Sequence, residues 1–303
     1  MIMDNPIADG GGRQLSGELA NYFRGRKGVT ITALVSPVAL LLLFSYVVPV
    51  AILAGVSFLS QDARGAITPD FTLGNFVRFF SDPWFLFTLG RSIRIAFFVT
   101  LMAITLGYVA AYYLVFKQPR LFEFYLILVV APVLVGNVVR AFGWQMLMGD
   151  SGLVNTFLWK LGLGEHTLRF MYTETGIIIA DASTLLPLVI LILMGVLTRI
   201  DPAYIEAAKA LGASGRRAFM NVTLPLSLSG VGAASVICFT LALGTFEIAV
   251  LIGGKRVQMI APLVYEQITY AFNWTMGAAV AMVLLVVSVV GIVIHDIAFR
   301  SKK

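Results

Sequence analysis

Apolar residues in this chain gather into long blocks, not into the short alternations of strands or the one-sided stripes of surface helices. A helix that crosses the hydrocarbon of a bilayer needs about 20 apolar residues. Six stretches are long enough: 31–59, 95–116, 122–148, 176–197, 229–252 and 274–294. The second follows Arg91 and Arg94. The third is interrupted by Pro132 and Arg140, the fourth contains Asp181 and Pro187, and the fifth contains Glu247. The pattern predicts an all-α membrane protein with six transmembrane helices, and no convincing internal repeat accompanies it.

The connections differ in character. Residues 117–120, with Pro119, read as a tight polar turn, whereas 60–90 reads as a long loop carrying the turn formers Pro69 and Pro83. Between the third and fourth stretches, Leu153, Val154, Phe157, Leu158 and Leu161 fall on one helical face. That face, with Trp159 and Lys160 beside it, predicts a short helix lying at a membrane interface.

Composition strengthens this picture. The chain has 303 residues, 59% hydrophobic and only 13% charged, against roughly 25% charged in soluble domains. Such a surface is too poorly charged to face water all round, and lipid removes that need. The net charge of +6 does not indicate nucleic acid, because the basic residues sit in short segments between apolar runs. Thirteen lysines and arginines fall on the side that holds both chain ends, eight fall on the other, and Arg140 lies within a stretch. The positive-inside rule therefore places both termini in the cytoplasm. Residues 1–28 form a polar cytoplasmic segment ending in Arg24, Arg26 and Lys27, and 29–303 form the transmembrane domain. The first apolar run is too long for a signal peptide and reads as a retained span.

Several chemistries find no foothold. Cys238 is the one cysteine and reads as a small core residue. The two histidines, His166 and His295, form no HExxH pair, so no metal or other cofactor is expected. His295, with Asp296, reads as an interfacial group. Residues 249–256 come nearest to a phosphate-cradling loop, but they lack its first glycine and its final hydroxyl. The notable polar groups are instead Arg140, Asp181 and Glu247 inside the apolar stretches. A charge there costs something like 2.5–3.5 kcal/mol on insertion scales. Glu247 either lines a translocation cavity or pairs with neighbours such as Arg140 and Asp181 to orient helices, and both readings stand. Tyr108, Tyr112, Tyr113 and Trp144 read as packing or interface residues.

The loop 199–225 is the most informative segment. Asp201 suits a helix N-cap, Pro202 the first helical position, and Gly212 the left-handed residue that ends a helix. Ser214 can cap a second short helix running to about Val222. The pair makes a compact projection whose exposed surface includes Ala207, Ala208 and Ala210. Glu206 and Lys209 are able to fix the orientation of a partner there. Helix physics alone fits an ordinary capped loop equally well.

Glu206-Ala207-Ala208, then Gly212 after three residues, then Leu224-Pro225, resembles the EAA loop of ABC-importer permeases. The resemblance covers most of the chain. Trp144, the run Gly-Leu-Val-Asn at 152–155, Leu186-Pro187, the run 242–247, Asn273-Trp274 and Gly277-Ala278-Ala279 look like the spermidine/putrescine-type branch. Two departures are the polar N-terminal extension and the order Thr245-Phe246-Glu247 where Gly-Glu-Phe is commoner. The resemblance implies a type I ABC-importer permease fold in a bacterial inner membrane. It implies a coupling helix at Glu206, Ala207, Ala208 and Gly212 docked on an ATP-binding subunit, of which there would be two copies. A second, homologous permease chain and a periplasmic solute-binding protein would complete the assembly. This chain would hold no catalytic residue. A polyamine-like cation suits Asp181 and Glu247, while Arg140 leaves amino acids and related zwitterions open. A proton- or ion-coupled secondary transporter, with Glu247 or Asp181 as proton carrier, has no need of a docking loop. A membrane-embedded enzyme lacks the clustered groups it would need.

Overall fold

The computed structural model of the protein describes residues 36–62, 64–117, 122–162 and 169–300, with the side chains at 295, 296 and 298–300 left out. The polar segment 1–28, the turn around Pro119, His166 and the side chains of His295 and Asp296 lie outside the described residues. Among the described residues five helices are long and apolar enough to cross a membrane, and a bent pair brings the number to six where it counts as one span. The chain divides into two units after Gly55. Helix α1 (Ser36–Ser57) is the described part of the first and runs into the second.

The second unit opens with a β-hairpin where the sequence suggested only a loop. Strands β1 (Leu59–Gln61) and β2 (Ile67–Phe71) pair antiparallel, with a bulge between Leu59 and Ser60. Helix α2 (Gly74–Ser81) follows, and α3 (Pro83–Phe116) begins about twelve residues earlier than the apolar run does. The reason is local: the Asp82 carboxylate accepts from the Trp84 N–H, and Pro83 occupies the first turn. Arg91 and Arg94 therefore lie inside a helix, not before one.

The third stretch is broken. Helix α4 (Phe122–Val130) tightens into a 3₁₀ turn at Ala131–Leu134, where Pro132 has no N–H to give, and Gly136 is extended. Helix α5 (Asn137–Met148) then sets off at 96° to the preceding segment. The break falls at Pro132 to Gly136, and Arg140 sits within intact helix. Helix α6 (Leu153–Lys160) is the short helix expected here, with Leu153, Phe157 and Trp159 exposed.

Helix α7 (Glu174–Leu197) is capped by Thr173, whose hydroxyl accepts from the Gly176 N–H at 3.1 Å. Helices α8 (Pro202–Ala210) and α9 (Gly215–Ala218) form the elbow. A π-helical turn, Phe219–Thr223, joins α9 directly to α10 (Leu224–Leu243). The fifth span therefore starts before residue 229 and ends at Leu243, nine residues short of the expected end. A second π turn, Ala249–Gly253, follows the break. Helices α11 (Ile260–Thr269) and α12 (Trp274–Arg300) finish the chain.

The main core lies where α3, α7 and α10 pack together, around Val99, Ala103, Ala180, Leu193, Ala234 and Ala242. Small residues let these backbones approach: a Cβ on Gly107 of α3 would stand 2.8 Å from Val189 Cγ1 of α7. Cys238 is buried there as a free thiol. A second core joins Phe79 and Phe85 to Ile260, Leu263, Met276 and Val280.

The two ends of this bundle are chemically distinct. The elbow connects α7 to α10, so it defines one end. At the same end, the Phe219 ring meets Tyr108 and Tyr112 of α3 edge-on. At the far end lie the α7 N-terminus, the hairpin and residues 244–273. Here the Ser92 hydroxyl of α3 accepts from the Ile260 N–H at 2.8 Å, tying α11 to α3.

Candidate functional site

The elbow forms as its residues dictate. The Asp201 carboxylate accepts from the Ala203 N–H at 2.9 Å, and Pro202 opens α8. Gly212 has φ +87°, a conformation that favours glycine. The Ser214 hydroxyl accepts from the Arg217 N–H at 3.4 Å. Glu206, Ala207 and Ala210 are exposed, while Ala208 is half-buried against the rest of the loop, not fully presented. Tyr204 and Leu211, the latter 90% exposed, extend the apolar surface around Ala207. This outward-facing apolar helix is the sort of element that another protein covers. Behind it, Phe219 sits between Tyr108 (5.9 Å between ring centres, 76°) and Tyr112 (5.1 Å, 83°). The Tyr108 hydroxyl lies 2.8 Å from the Ser227 hydroxyl of α10. Tyr108 and Tyr112 of α3 are thus packing residues that anchor the elbow, whereas Tyr113 is exposed.

The polar groups expected within the spans are partly brought together. Asp181 is 2% exposed on α7. Its Oδ1 accepts from the Thr245 hydroxyl at 3.2 Å, and its Oδ2 has no hydrogen-bond partner. Glu247, two residues beyond Thr245, is half-buried in the short helical turn after α10, not within that span. Gly244 and Thr245 break the helix and so deliver Thr245 to Asp181 and Glu247 to the same region. Arg140 is engaged elsewhere: its guanidinium donates to the Thr184 carbonyl at 2.9 Å and to Asn137 Oδ1 at 2.6 Å. It forms no ion pair with Asp181 or Glu247 among the described residues. Arg140 Nε on α5, and Asp181 Oδ2 and Thr184 Oγ1 one turn apart on α7, are buried polar atoms without hydrogen-bond partners. Buried polar atoms normally find partners, so these three stand out among the described residues.

Sequence reasoning missed one ionic cluster. Glu174, at the α7 N-terminus, lies 2.5 Å from Arg94 and 3.4 Å from Arg91 of α3. Arg91 also donates to the Arg256 carbonyl at 3.2 Å and rests over the Phe87 ring. The spacing of Arg91 and Arg94 puts both on one helix face, but nothing local names Glu174 as their partner. Glu174 and Asp181 are seven residues apart on α7, about 10 Å along one face. A polar line thus descends from the far end into the bundle.

A bundle of spans with a buried, incompletely partnered carboxylate and a capped helical elbow at one end is the build of a membrane transport subunit. The model for binding-protein-dependent transport system inner membrane components matches residues 27–303, and the chain belongs to that family. It is an inner-membrane permease subunit. The Escherichia coli K12 spermidine/putrescine transport system permease protein PotB is 30% identical over 254 residues, 84% of this chain and 92% of the relative. A crystal structure of a bacterial ABC transporter that imports the acidic polysaccharide alginate shares the fold. Its TM-score is 0.75 at 17% identity, covering 93% of this chain and 99% of that one. The alginate transporter bound to its alginate-loaded periplasmic protein gives 0.74 at 17% identity, covering 91% and 96%.

Proposed function

We propose that this chain is the non-catalytic permease subunit of an ATP-driven importer that moves a polyamine-like cation into the cell. The observation that carries the reading is the elbow: a capped helix with Glu206, Ala207 and Leu211 outward. It stands at the opposite end of the bundle from Glu174 and the hairpin. In this reading α8 docks on an ATP-binding subunit, present in two copies, beside a second homologous permease chain. A periplasmic solute-binding protein delivers solute to the far end. The elbow, the segment 1–28 and the C-terminus then face the cytoplasm, as the excess of basic residues on that side supports. A proton-coupled carrier has no use for such a docking element, and family membership supports the ATP-driven reading over it.

Two features support a cationic solute. Asp181 and Glu247 put two carboxylates beside the break after α10. The named activity of the PotB relative is polyamine transport. Arg140 would be the group to receive an amino acid or zwitterion, and its guanidinium is held by Thr184 and Asn137, which favours the cation.

The test is Ala207→Trp in the complex reconstituted with its ATPase and binding protein. Ala207 is exposed, and exposed substitutions usually change stability by no more than about 0.5 kcal/mol. The chain should insert and purify normally while solute uptake is uncoupled from ATP hydrolysis. Glu206→Ala should weaken assembly to a smaller degree. Normal uptake by Ala207→Trp refutes the docking assignment.

A further inference from the structure

Beyond the break at Gly244 and Thr245, three aromatic rings follow one another. Phe246 meets Tyr265 of α11 with ring centres 5.2 Å apart at 65°, and Tyr265 meets Tyr270 at 5.8 Å and 83°. Tyr265 and Tyr270 are exposed, at 45% and 70%. Each end of the first ring pair carries a carboxylate next in sequence: Glu247 after Phe246, and Glu266 after Tyr265. Glu266 is half-buried, and its Oε2 accepts from Gln258 Nε2 at 2.6 Å, which fixes the side chain. Deeper still is Asp181, almost wholly buried, with Oδ2 unpartnered and Oδ1 bonded to Thr245, the residue before Phe246.

We propose that Phe246, Tyr265 and Tyr270, with Glu247 and Glu266, form an entry station for an extended organic cation, ahead of Asp181. The assignment rests on the cation-importer reading and adds Phe246, Tyr265, Tyr270 and Glu266 to it. Two arguments support it. Aromatic faces attract alkylammonium groups and also accept methylene chains. The carboxylates are spread out: among the described residues no three carboxylate, histidine or cysteine side chains could hold a metal ion. Separate carboxylates, each next in sequence to a ring, suit a chain of ammonium groups separated by methylenes better than a compact inorganic cation. Arg91 and Arg94 are paired with Glu174.

The experiment measures uptake of labelled spermidine, and uptake per ATP hydrolysed, in proteoliposomes holding the complete complex and its binding protein. Tyr265→Leu should lower spermidine uptake between about threefold and tenfold, the scale of one lost cation–ring contact, with fewer molecules moved per ATP. Tyr265→Phe keeps the ring and should stay within about twofold of the parent. Tyr270→Leu, at a more exposed ring, should lower uptake in the same sense without disturbing packing, and so covers the case in which Tyr265→Leu fails to assemble. Parental uptake in the leucine variants overturns the station, and so does an equal loss in Tyr265→Phe and Tyr265→Leu. A parent complex that moves no spermidine removes the cation reading itself, a result distinct from a parent that moves it with variants that match.

Discussion

The Phe219 ring is the point where the elbow is fastened to the spans, so replacing it should loosen the elbow specifically. Phe219→Leu keeps most of the apolar volume and removes two edge-on ring contacts, to Tyr108 and Tyr112. Such contacts are worth about 0.5–1.5 kcal/mol each beyond area burial. Phe219 is only half-buried, which favours the lower half of that range and gives a loss of about 1–2 kcal/mol. The Tyr108–Ser227 bond is untouched and should continue to hold α3 to α10. Each 1.4 kcal/mol is a factor of ten in an equilibrium, so local opening of the elbow should rise about 5- to 30-fold. Amide hydrogen exchange across 199–223 reads that opening directly. Exchange there should accelerate by that factor while the amides of α7 and the middle of α10 keep their protection. Solute moved per ATP should fall in the same protein. Unchanged exchange across 199–223 in Phe219→Leu would show that the rings do not fasten the elbow.

Two further outcomes follow from the site and the orientation. Glu247→Gln should lower transport while the complex still assembles and the binding protein keeps its affinity, and Glu247→Lys should lower it further because a reversed charge repels a cation; Glu247→Gln uptake equal to the parent's removes the cavity role, and failed assembly favours a structural one. In a chain freed of Cys238, a cysteine at Lys303 should be shielded from an impermeant thiol reagent added outside intact cells, and one at Arg64 of the hairpin should react once the outer membrane is permeabilised; the reverse pattern overturns the orientation.

The elbow was legible because its grammar is local. Asp201, Pro202, Gly212 and Ser214 each act within three residues of themselves, and each acts as its type and position indicate. The apolar cores of the spans were legible for a similar reason, since lipid demands length and little else. Span ends were not. The cap at Asp82 and Pro83 starts α3 well before the apolar run, because Arg91 and Arg94 interrupt the run without interrupting the helix. At the other extreme, Gly244 ends α10 although the apolar run continues to Ile252. Asp181, Glu247 and Arg140 were all recognised as costly groups needing an explanation. Their partners were not readable, because Thr245, Thr184 and Asn137 are chosen by tertiary packing. Glu174 escaped notice altogether, lying at a helix start where a carboxylate is unremarkable.

The π turn at Phe219–Thr223 leaves no flexible joint between the elbow and the span it leads into. From Gly215 to Leu243 the backbone is helical throughout. The α10 portion alone is about 30 Å long. A rigid rod of that length magnifies rotation: a tilt of about 2° at the elbow swings its far end through about 1 Å. The far end carries Thr245, whose hydroxyl lies 3.2 Å from Asp181 Oδ1, and an added 1 Å takes that pair beyond hydrogen-bonding range. The Thr245–Asp181 contact is therefore an angular gauge. It closes only while α10 holds its present direction against α7, and a rotation of a few degrees at the elbow would free a second oxygen of the buried carboxylate.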